Sequence, residues 1–204
     1  MRAAVCHSEI HLTNNQSVSC NITLDNVRFA HNTFSSGGLV FLKLENGNQN
    51  IHLQDVTFIN NSPLSGRDVL TGYDQSECIF CSNIVNVFIN ASNFTSQNAR
   101  SFDVIASNVS LQIYNSTFCD HKVEGNGGVI SVSGADLCKL NVFNSSFVNT
   151  SASQGGVFDI ECAKATLSFQ GNIFTNNTAV DGSGGSFYVD SSGSGLNNSE
   201  FGKK

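Results

Sequence analysis

Charged side chains make up only 13% of the 204 residues, and proline occurs once. The ten Lys and Arg are scattered, with only Lys203 and Lys204 adjacent, in a chain of net charge -6. No basic stripe exists to neutralise phosphates, so no nucleic-acid partner is expected. No apolar run approaches the roughly 18–20 residues of a membrane span. The start, MRAAVCHSEIHL, lacks the apolar core of a signal peptide. No segment carries a convincing helical period, and no Gly-rich loop precedes a helix, so nucleotide binding has no support. No serine sits in a nucleophile elbow. So little charge warns of poor solubility unless something else solvates the surface.

What is abundant is asparagine, with 26 copies, and phenylalanine, with 16. The phenylalanines mark a repeat. Phe29, Phe58, Phe94, Phe118, Phe147, Phe174 and Phe201 recur at spacings of 29, 36, 24, 29, 27 and 27 residues. Seven and five positions before each Phe stands an apolar pair: Ile22/Leu24, Ile51/Leu53, Val87/Ile89, Leu111/Ile113, Leu140/Val142 and Leu167/Phe169. Before Phe201 only Leu196 keeps the pattern. A separation of two puts both side chains on one face of a strand. The residues between are polar (Thr23, His52, Gln112, Asn141, Ser168), with Phe88 as the exception.

Three residues after the Phe stands an amide at Asn32, Asn61, Gln97 and Asn177, with His121 and Thr150 as substitutes. A polar loop follows, then a glycine pair at Gly37-Gly38, Gly127-Gly128, Gly155-Gly156 and Gly184-Gly185. The pair is half kept at Gly66-Arg67 and lost at Ala99-Arg100. A second alternating strand comes next: Val40/Leu42/Leu44, Val69, Phe102/Val104, Ile130/Val132, Phe158/Ile160 and Phe187/Val189. One unit of this kind cannot bury its own apolar face, so units must stack. The expected fold is all-β, a single-stranded parallel β-helix of about six to seven coils, with rungs about 4.8 Å apart. Asn32, Asn61, Gln97 and Asn177 are expected to form a ladder that bonds the backbone of the next rung. Residues 1–20 read as an irregular segment or incomplete coil. Residues 21–204 read as the repeats, part of a longer array.

The phrases FAHN, FINN and FTNN with GGLV, GGVI, GGVF and GGSF resemble the repeats of chlamydial polymorphic outer membrane proteins. They also resemble pectin-lyase-like β-helices of large surface proteins. The resemblance covers the chain from about residue 20. It implies a right-handed β-helix and a structural or adhesive role at a cell surface, with carbohydrate or a cell-surface protein as partner. The Asn-Thr-Asp, Asp-Asp and Gly-His-Gly signatures of polygalacturonases are absent.

Eleven Asn-x-Ser/Thr sequons begin at Asn15, Asn21, Asn60, Asn90, Asn93, Asn108, Asn115, Asn144, Asn149, Asn176 and Asn197, none with proline at x. An Asn- and Ser-rich chain generates some by composition alone. Their phase against the motif Phe instead points to turns that a glycosylation enzyme can reach. Glycans there would solvate the weakly charged surface and place the chain outside the cell. Seven cysteines are an odd number, which leaves at least one unpaired. Cys138 and Cys162 lie near similar phases of adjacent coils, as a rung-to-rung disulfide requires. Cys78-x-x-Cys81 has no second pair at zinc spacing, so no metal or cofactor is expected.

An enzyme on this scaffold would use outward acids after the glycine turn. The outward rows read Phe41, Leu70, Asp103, Ser131, Asp159, Tyr188 and then Lys43, Gly72, Ile105, Ser133, Glu161, Asp190. Asp103 and Asp159 would stand two rungs apart, about 10 Å, near the separation of an inverting glycosidase. Glu161 and Asp190 would be neighbours. No outward Arg or Lys joins them on this reading. The blander account, acids that solvate an exposed strand, is preferred, and a non-catalytic role with it.

Overall fold

The computed structural model describes residues 9–12, 18–31, 33–34, 40–44, 47–63, 70–71, 84–95, 100–191 and 200–202. Among these every regular element is a strand, and every strand pairing is parallel. The pairing joins each repeat to the next and fits a parallel β-helix, as the period of the sequence predicts.

Each repeat contributes to three faces. The central face is built by Val18–Asp25, Gly47–Gln54, Ile84–Asn90, Asn108–Tyr114 and the later halves of Ile130–Phe143 and Phe158–Gln170. The phenylalanine face is built by Arg28–Ala30, Thr57–Ile59, Asn93–Thr95, Thr117–Cys119, Ser146–Val148 and Ile173–Thr175. The glycine-side face includes Val40–Leu44, Leu70–Thr71, Phe102–Ile105, Phe187–Asp190 and the early halves of the two long strands.

Register follows residue type. Ile22, Ile51, Val87, Leu111, Leu140 and Leu167 align one above another, as do Leu24, Leu53, Ile89, Ile113, Val142 and Phe169. Phe29, Phe58, Phe94, Phe118, Phe147 and Phe174 also align. Their rings stack at centroid separations of 4.7–5.1 Å, within 12° of parallel. That spacing is both a good offset stack and the strand spacing, so one ring per rung satisfies the sheet and the core together. Phe58, Phe94, Phe118 and Phe147 are 0% exposed.

The glycine pair divides its labour. Gly127, Gly155 and Gly184 have φ of +57° to +77°, a region that disfavours a Cβ. The second glycine lies against the rung above. A Cβ on Gly128 would stand 2.1 Å from the Gly156 carbonyl, and one on Gly156 2.1 Å from that of Gly185.

The structure corrects two expectations. Leu70, not Val69, aligns with Val40 and Phe102, and Thr71 with Phe41 and Asp103, one residue later than expected. The half-kept pair at Gly66-Arg67 shifted the sequence register by one residue. Phe201 aligns with Phe169 on the central face rather than with Phe174. Within the first twenty residues, Glu9–Leu12 and the start of Val18–Asp25 pair in register as partial rungs.

Candidate functional site

Turns carry most of the polar chemistry. Asn26, Asp55, Ala91, Asn115 and Asn144 follow the central strand in the left-handed region, and Gly171 takes that place in the next repeat. His31, Asn60, Asp120, Asn149 and Asn176 do the same after the phenylalanine strand. Asn tolerates this conformation better than other non-glycine residues. Five sequon asparagines (Asn60, Asn115, Asn144, Asn149, Asn176) therefore have a backbone reason to be asparagine. All five are exposed, as is Asn21, while Asn90, Asn93 and Asn108 are half-buried. Several bond between rungs: Asn149 Nδ2 donates to Asp120 Oδ1 at 3.1 Å, and Asn176 Nδ2 to Asn149 Oδ1 at 3.2 Å. Asn15 and Asn197 lie outside the described residues.

The ladder position is the next residue along. Asn61 is buried, and its Nδ2 donates to the Phe29 carbonyl of the preceding repeat at 3.1 Å. Asn177 Nδ2 donates to the Phe147 carbonyl at 3.1 Å, while its Oδ1 accepts from the Thr150 amide at 3.1 Å. Thr150 Oγ1 donates to the same Oδ1 at 2.9 Å and also contacts the Gly156 carbonyl. Asn32 and Gln97 lie outside the described residues. His121 is buried at this position and meets Ser101 Oγ through Nε2 at 2.8 Å. Burial lowers its pKa to about 4, against weaker opposing effects of the Cys119 backbone and the Asp120 charge.

A second ladder went unread in the sequence. Ser92, Ser116 and Ser145 are buried two residues before the motif Phe. The Ser92 amide donates to Ser116 Oγ at 3.2 Å, and the Ser116 amide to Ser145 Oγ at 3.1 Å. Asn172 Oδ1 takes the hydroxyl's place for the Ser145 amide at 2.9 Å. The signal was available: a small polar residue holds this place in Asn-Ser-Thr-Phe, Asn-Ser-Ser-Phe and Ala-Ser-Asn-Phe.

The acidic strip is a solvated strand only in part: Glu161 and Asp190 are exposed. Asp103, Ser131, Asp159 and Tyr188 do align on successive rungs, and Glu161 lies beside Asp190. Asp159, however, is only 3% exposed. Gln154 Nε2 donates to its Oδ1 at 3.3 Å. Desolvation raises the Asp159 pKa, with the Glu161 charge adding to it. The Gln154 and Asn126 side chains and the Arg100 charge oppose that rise. A cation does join the acids: Arg100 Nη1 lies 3.2 Å from Asp103 Oδ1. Arg100 replaces a glycine of the lost pair, and its Nη2 lies 2.8 Å from where a Cβ on Gly125 would stand. Reading the site as an empty glycine position hid its charge.

Cys119, Cys138 and Cys162 are free thiols. Cys138 aligns with Ala165 and Cys162 with Ala135, three positions apart along the strands. Their thiols nonetheless meet: a hydrogen bond between them, with burial, pushes the Cys138 thiol up, and the same bond holds the Cys162 thiol down, so the two cysteines expected to pair are neighbours, here as free thiols. Cys6, Cys78 and Cys81 lie outside the described residues. Among the described residues no cluster of His, Cys, Asp or Glu could hold a metal, and no helix is long and apolar enough to cross a membrane. No protein-family model, curated protein or solved structure matches the chain, which leaves its function to be read from the chemistry of its faces.

Proposed function

We propose that the chain is a stretch of a right-handed parallel β-helix that serves as a non-catalytic structural or adhesive rod in a secreted or cell-surface glycoprotein. The observation that carries this reading is the unbroken phenylalanine stack over six repeats, flanked by amide and serine ladders. Each contact ties one rung to the next, which is how a stiff shaft is made. Right-handedness is the usual hand of a crossover between parallel strands. The Phe-x-x-Asn and Gly-Gly phrases that resemble polymorphic outer membrane protein repeats each have a mechanical task here. Exposed sequon turns support an extracellular location, because glycans there would solvate a surface short of charge.

One observation favours a second reading, a carbohydrate-binding or polysaccharide-cleaving strip. Asp159 is a buried acid of raised pKa with a cation and a second acid nearby, a pattern that active sites share. It ranks second because Gln154 and Asn126 occupy the approach to Asp159.

Beads coated with the chain test both readings against cells and acidic polysaccharides. The rod reading expects retention on the beads with no new chain ends released. Fragment release that stops in Asp159→Asn would reverse the ranking. Beads that hold nothing would remove the adhesive half of the proposal.

A further inference from the structure

Phe88, the residue that breaks the polar alternation of the central strands, does not stand alone. His52 aligns with it on one neighbouring rung, and their rings lie 4.6 Å apart. On the other side Tyr114 approaches it at 5.5 Å, and Phe143, aligned with Tyr114, at 5.4 Å from that ring. Four aromatic side chains therefore run as a diagonal over four consecutive rungs. All four point outward: His52 is exposed, and Phe88, Tyr114 and Phe143 are half-buried. The stack that fills the core is completed by other phenylalanines, so these rings are not needed there.

Amides border the diagonal. Asn50 Nδ2 donates to Asn21 Oδ1 at 2.7 Å, and Asn86 Nδ2 to Asn50 Oδ1 at 2.9 Å. On the other flank Asn90 Nδ2 donates to Gln54 Oε1 at 3.0 Å, and Asn115 Nδ2 to Asn90 Oδ1 at 3.1 Å. An amide that gives one N–H to its neighbour keeps a second N–H and a carbonyl lone pair. Asn50 and Asn86, which head no sequon, thus offer donors and acceptors beside the His52 and Phe88 rings, while Asn21, Asn90 and Asn115 on the same borders are sequon positions. Lys139 and His52 are the only ionisable side chains besides the Tyr114 phenol in the outward rows of these four rungs.

We propose that this aromatic and amide face binds a neutral, linear saccharide chain lying along the stack. The inference rests on the adhesive reading above and supplies its ligand class. Pyranose rings pack their C–H faces on aromatic rings and exchange hydroxyl hydrogen bonds with amides, and neither contact needs charge. The acidic strip lies on another face and plays no part. Four rungs span only about 14 Å, a patch far below the roughly 800 Å² per partner of a stable protein interface. That size suits a short run of sugar units rather than a second copy of this chain.

Electrophoresis of the unglycosylated chain through gels holding a neutral polysaccharide (mannan, xylan or a β-glucan) tests the proposal, with polygalacturonate as the acidic arm. Retardation by a neutral polymer is expected, with about tenfold weaker binding in Tyr114→Ala and in Phe88→Thr. Phe88→Thr restores the residue type found at Thr23, and an unchanged denaturant midpoint shows that the variant folds. Retardation by polygalacturonate alone, or neutral binding untouched in both variants, overturns the proposal. So does a dimer in sedimentation that Tyr114→Ala dissolves, because it gives the face to a second copy. None of these outcomes bears on polysaccharide cleavage, which is what would reverse the rod reading.

Discussion

The two long strands Ile130–Phe143 and Phe158–Gln170 each serve two faces, and the faces have diverged. On the glycine-side half, Asp159 faces outward beneath Gln154 and Glu161 is exposed, with Arg100 paired to Asp103 nearby. On the central half the outward rows carry amides and rings. Inward, both halves carry the same aliphatic and aromatic residues in register. Every inward side chain touches its equivalents above and below, so a change in one repeat is felt by two others. An outward side chain is held only by its own surroundings. Inward rows are therefore uniform and outward rows are free to take on chemistry.

The sharpest break of that contrast is Gly156→Ala. The new Cβ would meet backbone at 2.1 Å from the Gly185 carbonyl and 2.7 Å from the Thr178 carbonyl, and backbone cannot rotate aside. Loss of the rungs beyond residue 156 is expected, seen as lost hydrogen-exchange protection over Phe187–Asp190. Phe118→Ala comes next. It removes one ring from the middle of the stack, with a loss of about 3–5 kcal/mol expected from the denaturant midpoint. An unchanged midpoint would mean that inward rows are no more coupled than outward ones.

His121 turns the ladder into an acid-sensitive joint. Its folded pKa of about 4 lies below the ordinary 6.5. Between those values the unfolded chain binds a proton that the folded chain refuses. Stability is therefore whole above pH 6.5 and falls as the pH drops toward 4, by about 3 kcal/mol. His121→Asn, the residue of other repeats, should flatten the profile; a profile unchanged by the substitution would place the acid sensitivity elsewhere. Asn177→Ala should cost about 1–3 kcal/mol, because it strands a backbone carbonyl and an amide. A calorimetric scan that cannot tell it from the parent would make the ladder ornamental.

The smallest effect belongs to the outward row. Asp159 is an acid of raised pKa, so its charge works against folding above its folded pKa and the penalty vanishes below the unfolded value. Asp159→Asn should leave the protein as stable or slightly more stable at neutral pH, with the difference fading in acid. A marked loss would show that the outward row is coupled after all.

What the sequence made legible was what repeats. The apolar pairs and the motif phenylalanines recur at fixed offsets, so alignment alone gave their register through Phe174. Leu70 and Phe201 were misplaced where the marker residues are incomplete, because a register hung on one glycine or one Phe slips by small steps. The buried state of Asp159 was illegible for another reason. It depends on Gln154 and Asn126, loop residues whose reach no strand pattern encodes. Arg100 was passed over because the comparison of repeats treated it as a missing glycine. Turn asparagines were read only as sequons, although their left-handed backbone gives them a separate cause.

Parallel pairing between successive repeats also fixes how such a chain can fold. Each ladder bond joins residues about one repeat apart, as in the 24 to 36 residues between successive motif phenylalanines up to Phe174. The entropy of closing such a loop depends only weakly on its length, and it is much the same for every rung. A new rung docks on a finished edge, so its nucleation does not wait for residues far away. Growth can then proceed from one end as the polypeptide emerges, at a cost per rung that does not rise with the length already built.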